Sequence, residues 1–225
     1  MIDFADGHPL VIENLGLINL LISENHGYGK TKLLRHIHME SRPRIKYFSA
    51  PYLDTMLVSV ISQIEYSTVS SDVLNGYIDR VGQLFDLKIP LTETLHQWQR
   101  STDFVNLRVC KVLLMIIRLV NSRDGTIIVD EIDYGLHYRS QLALWELIYE
   151  LALIYNVQVI ASTMNKDSRM AMLATGLNDP MTDAKYIMLR YSSTESNYGS
   201  PIARTYPLPA FDCLLKVLAS DRNFT

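Results

Sequence analysis

Apolar positions along the chain fall into short runs separated by polar turns. Leu17–Ile22, inside LVIENLGLINLLIS at 10–23, is a short and mostly apolar run. It leads directly into a polar, glycine-bearing turn, ENHGYGKT, after which Leu33, Leu34 and Ile37 keep helical spacing. That order predicts strand, loop, helix. Ile45–Phe48 reads as a second short strand, closed by Pro51. From Leu53 to about Leu87 the apolar residues mostly keep helical spacing, with a polar break at Ser67–Asp72. Pro90 and the polar run Thr92–Asp103 predict a long connection. A helix is expected over Phe104–Val120, ending at a turn over Asn121–Gly125. Thr126–Val129 (TIIV), rich in β-branched residues, predicts a third strand, and Ser140–Tyr155 a strongly periodic helix. Val157–Ala161 is a fourth strand and Tyr186–Arg190 one more, followed by a polar, serine-rich turn at Ser192–Ser200.

Strands alternating with helices imply an α/β fold with a mostly parallel sheet covered on both faces. No internal repeat, low-complexity tract or clear linker interrupts the chain. A single domain over 1–225 is therefore expected, with a small helical insertion at about 51–100.

Composition narrows the class. At 225 residues the chain is long enough for a sizeable core, and 48% apolar with 20% charged residues excludes wholesale disorder. Net charge is 21 − 24 = −3, which argues against a globally basic nucleic-acid coat. The two cysteines, Cys110 and Cys213, argue against a disulfide scaffold and fit a reducing compartment. Val109–Val120 is broken by Lys111 and Arg118, and Leu142–Val157 by Glu146 and Glu150, so neither reaches the roughly 18 uninterrupted apolar residues of a membrane span. The N-terminus, MIDFADG, is acidic where a secretory signal is basic. A cytoplasmic protein without membrane contact is the expectation. His8, His26, His36, His38 and His96 show no paired metal-ligand spacing. Lys30, Lys32, Arg35, Arg42, Arg44 and Lys46 form a basic region, read as a solvated face plus phosphate-loop charge rather than a nucleic-acid surface.

Two segments carry chemistry. The first is Glu24-Asn25-His26-Gly27-Tyr28-Gly29-Lys30-Thr31. A phosphate-binding loop needs backbone N–H groups turned inward, which glycines permit, and a lysine that reaches the β- and γ-phosphates. It also needs a Ser/Thr hydroxyl for Mg²⁺ and a helix N-terminus facing the anion. Gly29, Lys30 and Thr31 meet these needs after a predicted strand; Glu24 stands where the usual spacing has glycine. The second is Asp130-Glu131 at the end of Thr126–Val129. Asp130 is placed to hold Mg²⁺, and Glu131 to polarise a water attacking the γ-phosphate.

The run DEIDYGLHYRSQLALWELIYELALIYNVQVIAST resembles the second half of ABC-type ATPase domains. It is most similar to stand-alone bacterial and phage AAA-type proteins with ABC-like cores, kin of the overcoming-lysogenisation-defect and SMC-like ATPases. There the acidic pair is followed by an Asn/Asp-Gly-Leu-His turn, a helix, and a strand ending in a Thr-Thr-His-Ser-like switch. Here the turn is Asp133-Tyr134-Gly135-Leu136-His137 and the strand end is Ala161-Ser162-Thr163-Met164-Asn165. Asn25–Thr31 resembles the family's Asn-Gly-Ser-Gly-Lys-Ser loop. The likeness covers Leu17–His38 and Phe104–Asn165, and leaves out 51–100.

The resemblance implies a P-loop NTPase core with ATP and Mg²⁺ as cofactors. Asn25, His26, Gly27, Tyr28, Gly29, Lys30 and Thr31 would hold the nucleotide, Thr31 and Asp130 the metal, and Glu131 would be catalytic. It also implies a homodimer or larger assembly with an effector partner such as a nuclease, in phage defence or DNA repair, any nucleic acid being engaged through that partner. Met164 replaces the family's switch histidine and donates no hydrogen bond. The family's Ser-x-Gly-like signature is reduced to Ser101-Thr102, with no glycine between Leu91 and Asp124. Slow ATP hydrolysis is the resulting expectation, since one lost transition-state contact can cost about 10²–10³ in rate. The alternatives are a non-hydrolysing nucleotide-bound scaffold or regulatory subunit and, less favoured, a small-molecule phosphotransferase.

Overall fold

A computed structural model describes residues 2–3, 9–10, 12, 14–23, 29–40, 45–48, 56–100, 107–133, 136–179, 182–191 and 201–212. Its main sheet has the order β4 (Ile45–Phe48), β5 (Thr126–Val129), β6 (Gln158–Ser162), β3 (Ile18–Ser23), β7 (Ala184–Tyr191) and β8 (Pro201–Pro207). The first five run parallel, and β8 returns antiparallel to β7. A separate antiparallel pair joins β1 (Ile2–Asp3) to β2 (Pro9–Leu10).

The central strands are apolar on both sides because helices cover both faces. Leu21, Ile128, Ile160, Ile187 and Leu189 share one face with Leu33 and Leu34 of α1 (Lys30–Glu40). Their neighbours Ile18, Leu20, Ile22, Ile127, Val129, Val159 and Ala161 face the other way. That second layer holds α5 (Leu107–Val120), α6 (Tyr138–Tyr155) and α7 (Lys166–Asn178). Asn19 is the polar exception in β3. Its side chain accepts from the Gly16 N–H at 2.8 Å and donates to the Gly16 and Val159 carbonyls at 2.8 and 3.3 Å, so its burial is compensated.

From Val109 to Ile117 every residue of α5 is buried. The helix has the sheet and α6 on one side and α2 (Met56–Glu65) and α3 (Ser71–Leu84) on the other, so its sequence is apolar nearly all round. Val60, Leu74, Ile78, Val81, Leu91 and Leu95, from the expected insertion, lie in the same apolar cluster as β3, β5 and β6. α6 ends at Asn156, whose left-handed backbone (φ 50°) suits an asparagine cap; its N–H donates to the Ala152 and Leu153 carbonyls.

The predicted strands appear within one or two residues, β7 being longer than Tyr186–Arg190. The ambiguous stretch 53–87 resolves into α2 and α3. Over Thr92–Arg100 the expected long connection is instead helical, while 101–103 lie outside the described residues. Leu91–Arg100 forms a helix, α4. Leu91 and Leu95, four residues apart, bury one stripe, and Asp79 accepts from both the Thr92 N–H and hydroxyl at 3.1 Å. Four elements were not foreseen: the short β1 and β2, α7 and β8. α7 buries Met172 and Leu173 among small or polar residues (Ser168, Ala171, Thr175, Gly176) and so lacks a clear apolar stripe. β8 is bracketed by Pro201 and Pro207, which fits an edge position. Phe104 and the turn at Ser192–Ser200 lie outside the described residues.

Two glycines report opposite constraints. A Cβ on Gly16 would sit 2.3 Å from the Asp183 carbonyl oxygen, which itself accepts from the Ile18 N–H at 3.2 Å. Gly16→Ala is expected to destabilise the chain by about 1–3 kcal/mol. A Cβ on Gly76, inside α3, would meet nothing within 4 Å, and Gly76→Ala is expected to stabilise by about 0.5–1 kcal/mol. Urea denaturation of the two variants beside wild type measures both.

Candidate functional site

The C-terminal ends of β3, β5 and β6 meet at one cavity of about 690 Å³. Gly29, Lys30 and Thr31 enter it from the β3–α1 junction, Asp130 and Glu131 from the end of β5, and Ser162, Thr163 and Met164 from the end of β6. Lys32 and Arg35 of α1 complete the lining. Ligand sites of parallel sheets lie at this end of the strands. The sheet register makes the meeting necessary. Val129 stands opposite Ala161, so the next residues, Asp130 and Ser162, emerge together, and Ser162 pairs with Leu21 of β3.

Gly29 has φ 67°, a conformation suited to glycine, and its carbonyl accepts from the Leu33 N–H at 2.8 Å to open α1. The first N–H groups of α1 therefore have no carbonyl of their own helix to bind. Lys30 is only 8% exposed. Its ammonium donates to the Ser23 hydroxyl at 2.9 Å and contacts the Met164 sulfur. Burial lowers its affinity for the proton, the carboxylates of Asp130 and Glu131 oppose that, and Arg169 of α7 adds to it; the net direction is down. Thr31 is half-buried beside it. Glu24, Asn25, His26, Gly27 and Tyr28 lie outside the described residues, as do Ser101, Thr102, Tyr134 and Gly135.

The acidic strand end is tied to β6 by one side chain. The Ser162 hydroxyl donates to Asp130 Oδ1 at 2.5 Å and accepts from the Glu131 N–H at 3.0 Å, while the Ser162 carbonyl accepts from the Ile132 N–H at 3.0 Å. Asp130 is 7% exposed; Glu131 is exposed and lines the cavity. Thr163 donates to Asp133 Oδ1 at 2.6 Å and accepts from the Asn165 N–H at 2.9 Å, which closes the turn into α7. His137 serves as the N-cap of α6, accepting from the Arg139 N–H at 3.4 Å.

Lys30, Thr31, Asp130 and Glu131 are thus brought together as the sequence predicts. Sequence reasoning passed over Ser162 as a ligand of the carboxylate, and it missed Lys111. That lysine sits on α5, 2% exposed, and donates to the Glu131 carbonyl at 2.9 Å. Burial lowers its pKa to about 8, against the opposing charges of Glu131, Asp133 and Asp130. The signal was a single cation in the otherwise apolar run Val109–Ile117. Asp130, Glu131 and Asp133 therefore lie within the field of Lys111, and Asp130 and Glu131 within that of Lys30 as well. The hard oxygen donors of Thr31 and Asp130 in one cavity suit Mg²⁺, and the lysine with the lining cations suits a phosphate chain.

No protein-family model matches the chain, and none of the curated proteins does. Solved structures do. One is a chain from the crystal structure of the complex of archaeal ribosomal stalk protein aP1 and archaeal ribosome recycling factor aABCE1. It has a TM-score of 0.52 at 13% identity, over 89% of this chain and 40% of that one. "RNase-L Inhibitor" follows at 0.49 and 12%, over 90% and 37%, and the ATP binding subunit of an ABC transporter at 0.44 and 15%, over 76% and 73%. The chain spans less than half the length of the first two. At such identities the likeness is one of fold alone: a mostly parallel sheet flanked by helices, as in P-loop NTPases. Among the described residues no helix is long and apolar enough to cross a membrane.

Two outcomes are expected. Ser162→Ala leaves Asp130 and the Glu131 N–H without their shared partner and should cost about 1–3 kcal/mol in denaturant unfolding. Lys111 also gives stability a pH dependence. Its proton is held near 10.5 when unfolded and near 8 when folded, so the unfolded chain binds more protons between those values. Its contribution therefore rises with pH through that window. The lowered Lys30 acts in the same sense. Cys110, pushed up to about 12 by burial, acts in the opposite sense above its ordinary 9.0. From pH 7.5 to 9 the urea midpoint of wild type should rise, and Lys111→Met should flatten that rise.

Proposed function

We propose that this chain binds ATP with Mg²⁺ and hydrolyses it slowly, as an ABC-type ATPase that dimerises and controls a partner effector. The observation that carries the reading is the sharing of one cavity by Lys30, Thr31, Asp130 and Glu131. The loop Asn25–Thr31 would wrap the phosphate chain, with Lys30 neutralising the terminal phosphates and the start of α1 facing them. Thr31 and Asp130 would hold Mg²⁺, which when bound neutralises charge on the β- and γ-phosphate oxygens. Glu131, exposed to the cavity, would orient a water for attack on the γ-phosphorus and accept its proton, the P–O bond to ADP breaking as the new one forms.

Met164 supports slow turnover. Its sulfur meets the Lys30 ammonium at the place where the resembled family has a switch histidine. A thioether is a weak acceptor and cannot donate to a phosphoryl oxygen. The same contact favours the second reading, a nucleotide-bound scaffold without turnover. An effector such as a nuclease, and a setting in phage defence or DNA repair, rest on the resemblance to overcoming-lysogenisation-defect and SMC-like ATPases alone.

Lys30→Ala is expected to weaken ATP binding at least about tenfold, in line with loss of a charge-assisted contact worth more than 1.4 kcal/mol. Glu131→Gln should bind ATP like wild type but release phosphate at least about 10²-fold more slowly in a single-turnover assay, leaving a measurable residual rate. Met164→His should raise turnover above wild type. Equal phosphate release from wild type and Glu131→Gln would remove Glu131 as the base, and ATP binding indifferent to Lys30→Ala would remove the reading altogether.

A further inference from the structure

We propose that Lys111 is a positioning residue for Glu131: its buried ammonium holds the Glu131 carbonyl and so fixes the backbone that presents the carboxylate to the cavity. The inference rests on the hydrolytic reading of Glu131 given above. Glu131 has φ 51°, a left-handed conformation that is strained for a residue with a side chain. Such a backbone persists only where its surroundings over-determine it. Here three hydrogen bonds do so. Two come from β6: the Glu131 N–H to the Ser162 hydroxyl at 3.0 Å and the Ile132 N–H to the Ser162 carbonyl at 3.0 Å. The third crosses from α5, Lys111 Nζ to the Glu131 carbonyl at 2.9 Å. β6 thereby holds the peptide on each side of the Glu131 Cα, and α5 adds a second hold on the one that follows it.

The setting of Lys111 argues for purpose at that carbonyl. It lies in the run Val109–Ile117 of α5, every residue of which is buried, with Val109, Cys110, Val112 and Leu113 around it in sequence, all at or near zero exposure. An apolar residue of the same length would pack there without desolvating a charge. A lysine is justified by what its head group reaches, and that is the residue placed to activate water. A displacement of about 1 Å at such a group can cost on the order of 10²-fold in rate.

The test uses the full chain, with single-turnover phosphate release and ATP binding measured separately. Lys111→Met should lower turnover about tenfold or more while ATP affinity stays within about threefold. In a Glu131→Gln background the same substitution should cause no further loss in turnover, because the side chain it positions is already disabled. Lys111→Arg, which keeps a donor, should recover part of the rate. The proposal is overturned if Lys111→Met turns over like wild type, if its loss is as large in the Glu131→Gln background, or if ATP affinity falls in parallel with rate, which would make Lys111 a counter-charge only. Should Lys111→Met fail to fold, Lys111→Gln, neutral and shorter, is read against the same three criteria. Wild-type release no faster than Glu131→Gln would instead withdraw the hydrolytic reading, and this role with it.

Discussion

Two lysines are buried within reach of the same strand end, and that constraint organises the site. An ammonium group removed from water must find opposite charge or strong acceptors nearby. Lys30 reaches Ser23 and feels Asp130 and Glu131; Lys111 reaches the Glu131 carbonyl and feels three carboxylates. Neither solution exists unless β5 ends beside β6 and β3 in the observed register. The Ser162 hydroxyl then joins the acidic pair to the neighbouring strand. The charges that would serve nucleotide chemistry are thus the charges whose burial the fold has to compensate.

Much of this was legible in the chain. The run Leu17–Ile22, apart from Asn19, and the run Ile127–Val129 are apolar without alternation, as strands buried on both faces are, and each ends in polar residues whose chemistry is recognisable. Position along the chain could then place Lys30, Thr31, Asp130 and Glu131 at one end of a parallel sheet. α4 was misread because only Leu91 and Leu95 mark its buried stripe, and because Asp79, thirteen residues away, caps its first turn. α7 was invisible because its buried face is mostly small or polar, with Met172 and Leu173 the only large apolar residues buried among its described positions, too few for a hydrophobic period. Lys111 was seen only as an interruption of an apolar run. Its meaning depends on a contact twenty residues distant, which no local pattern encodes.

Under the proposed reading, Met164 is the position that would slow turnover. A polarizable sulfur lies against the Lys30 ammonium, where a histidine would both accept and donate. The cavity keeps the groups that attract a phosphate chain and a hard cation, and at this position it holds a side chain that cannot answer a developing negative charge. Under the proposed reading, that asymmetry would separate attraction for nucleotide from acceleration of its cleavage.

The hairpin at the far side of the sheet has a further effect. β8 is the border of the main sheet, and prolines stand at both of its ends. Proline offers no amide hydrogen to an incoming strand. The border is therefore short of donors where another polypeptide would begin and finish its ladder, so ribbon-like growth of the sheet from copy to copy is discouraged along that margin.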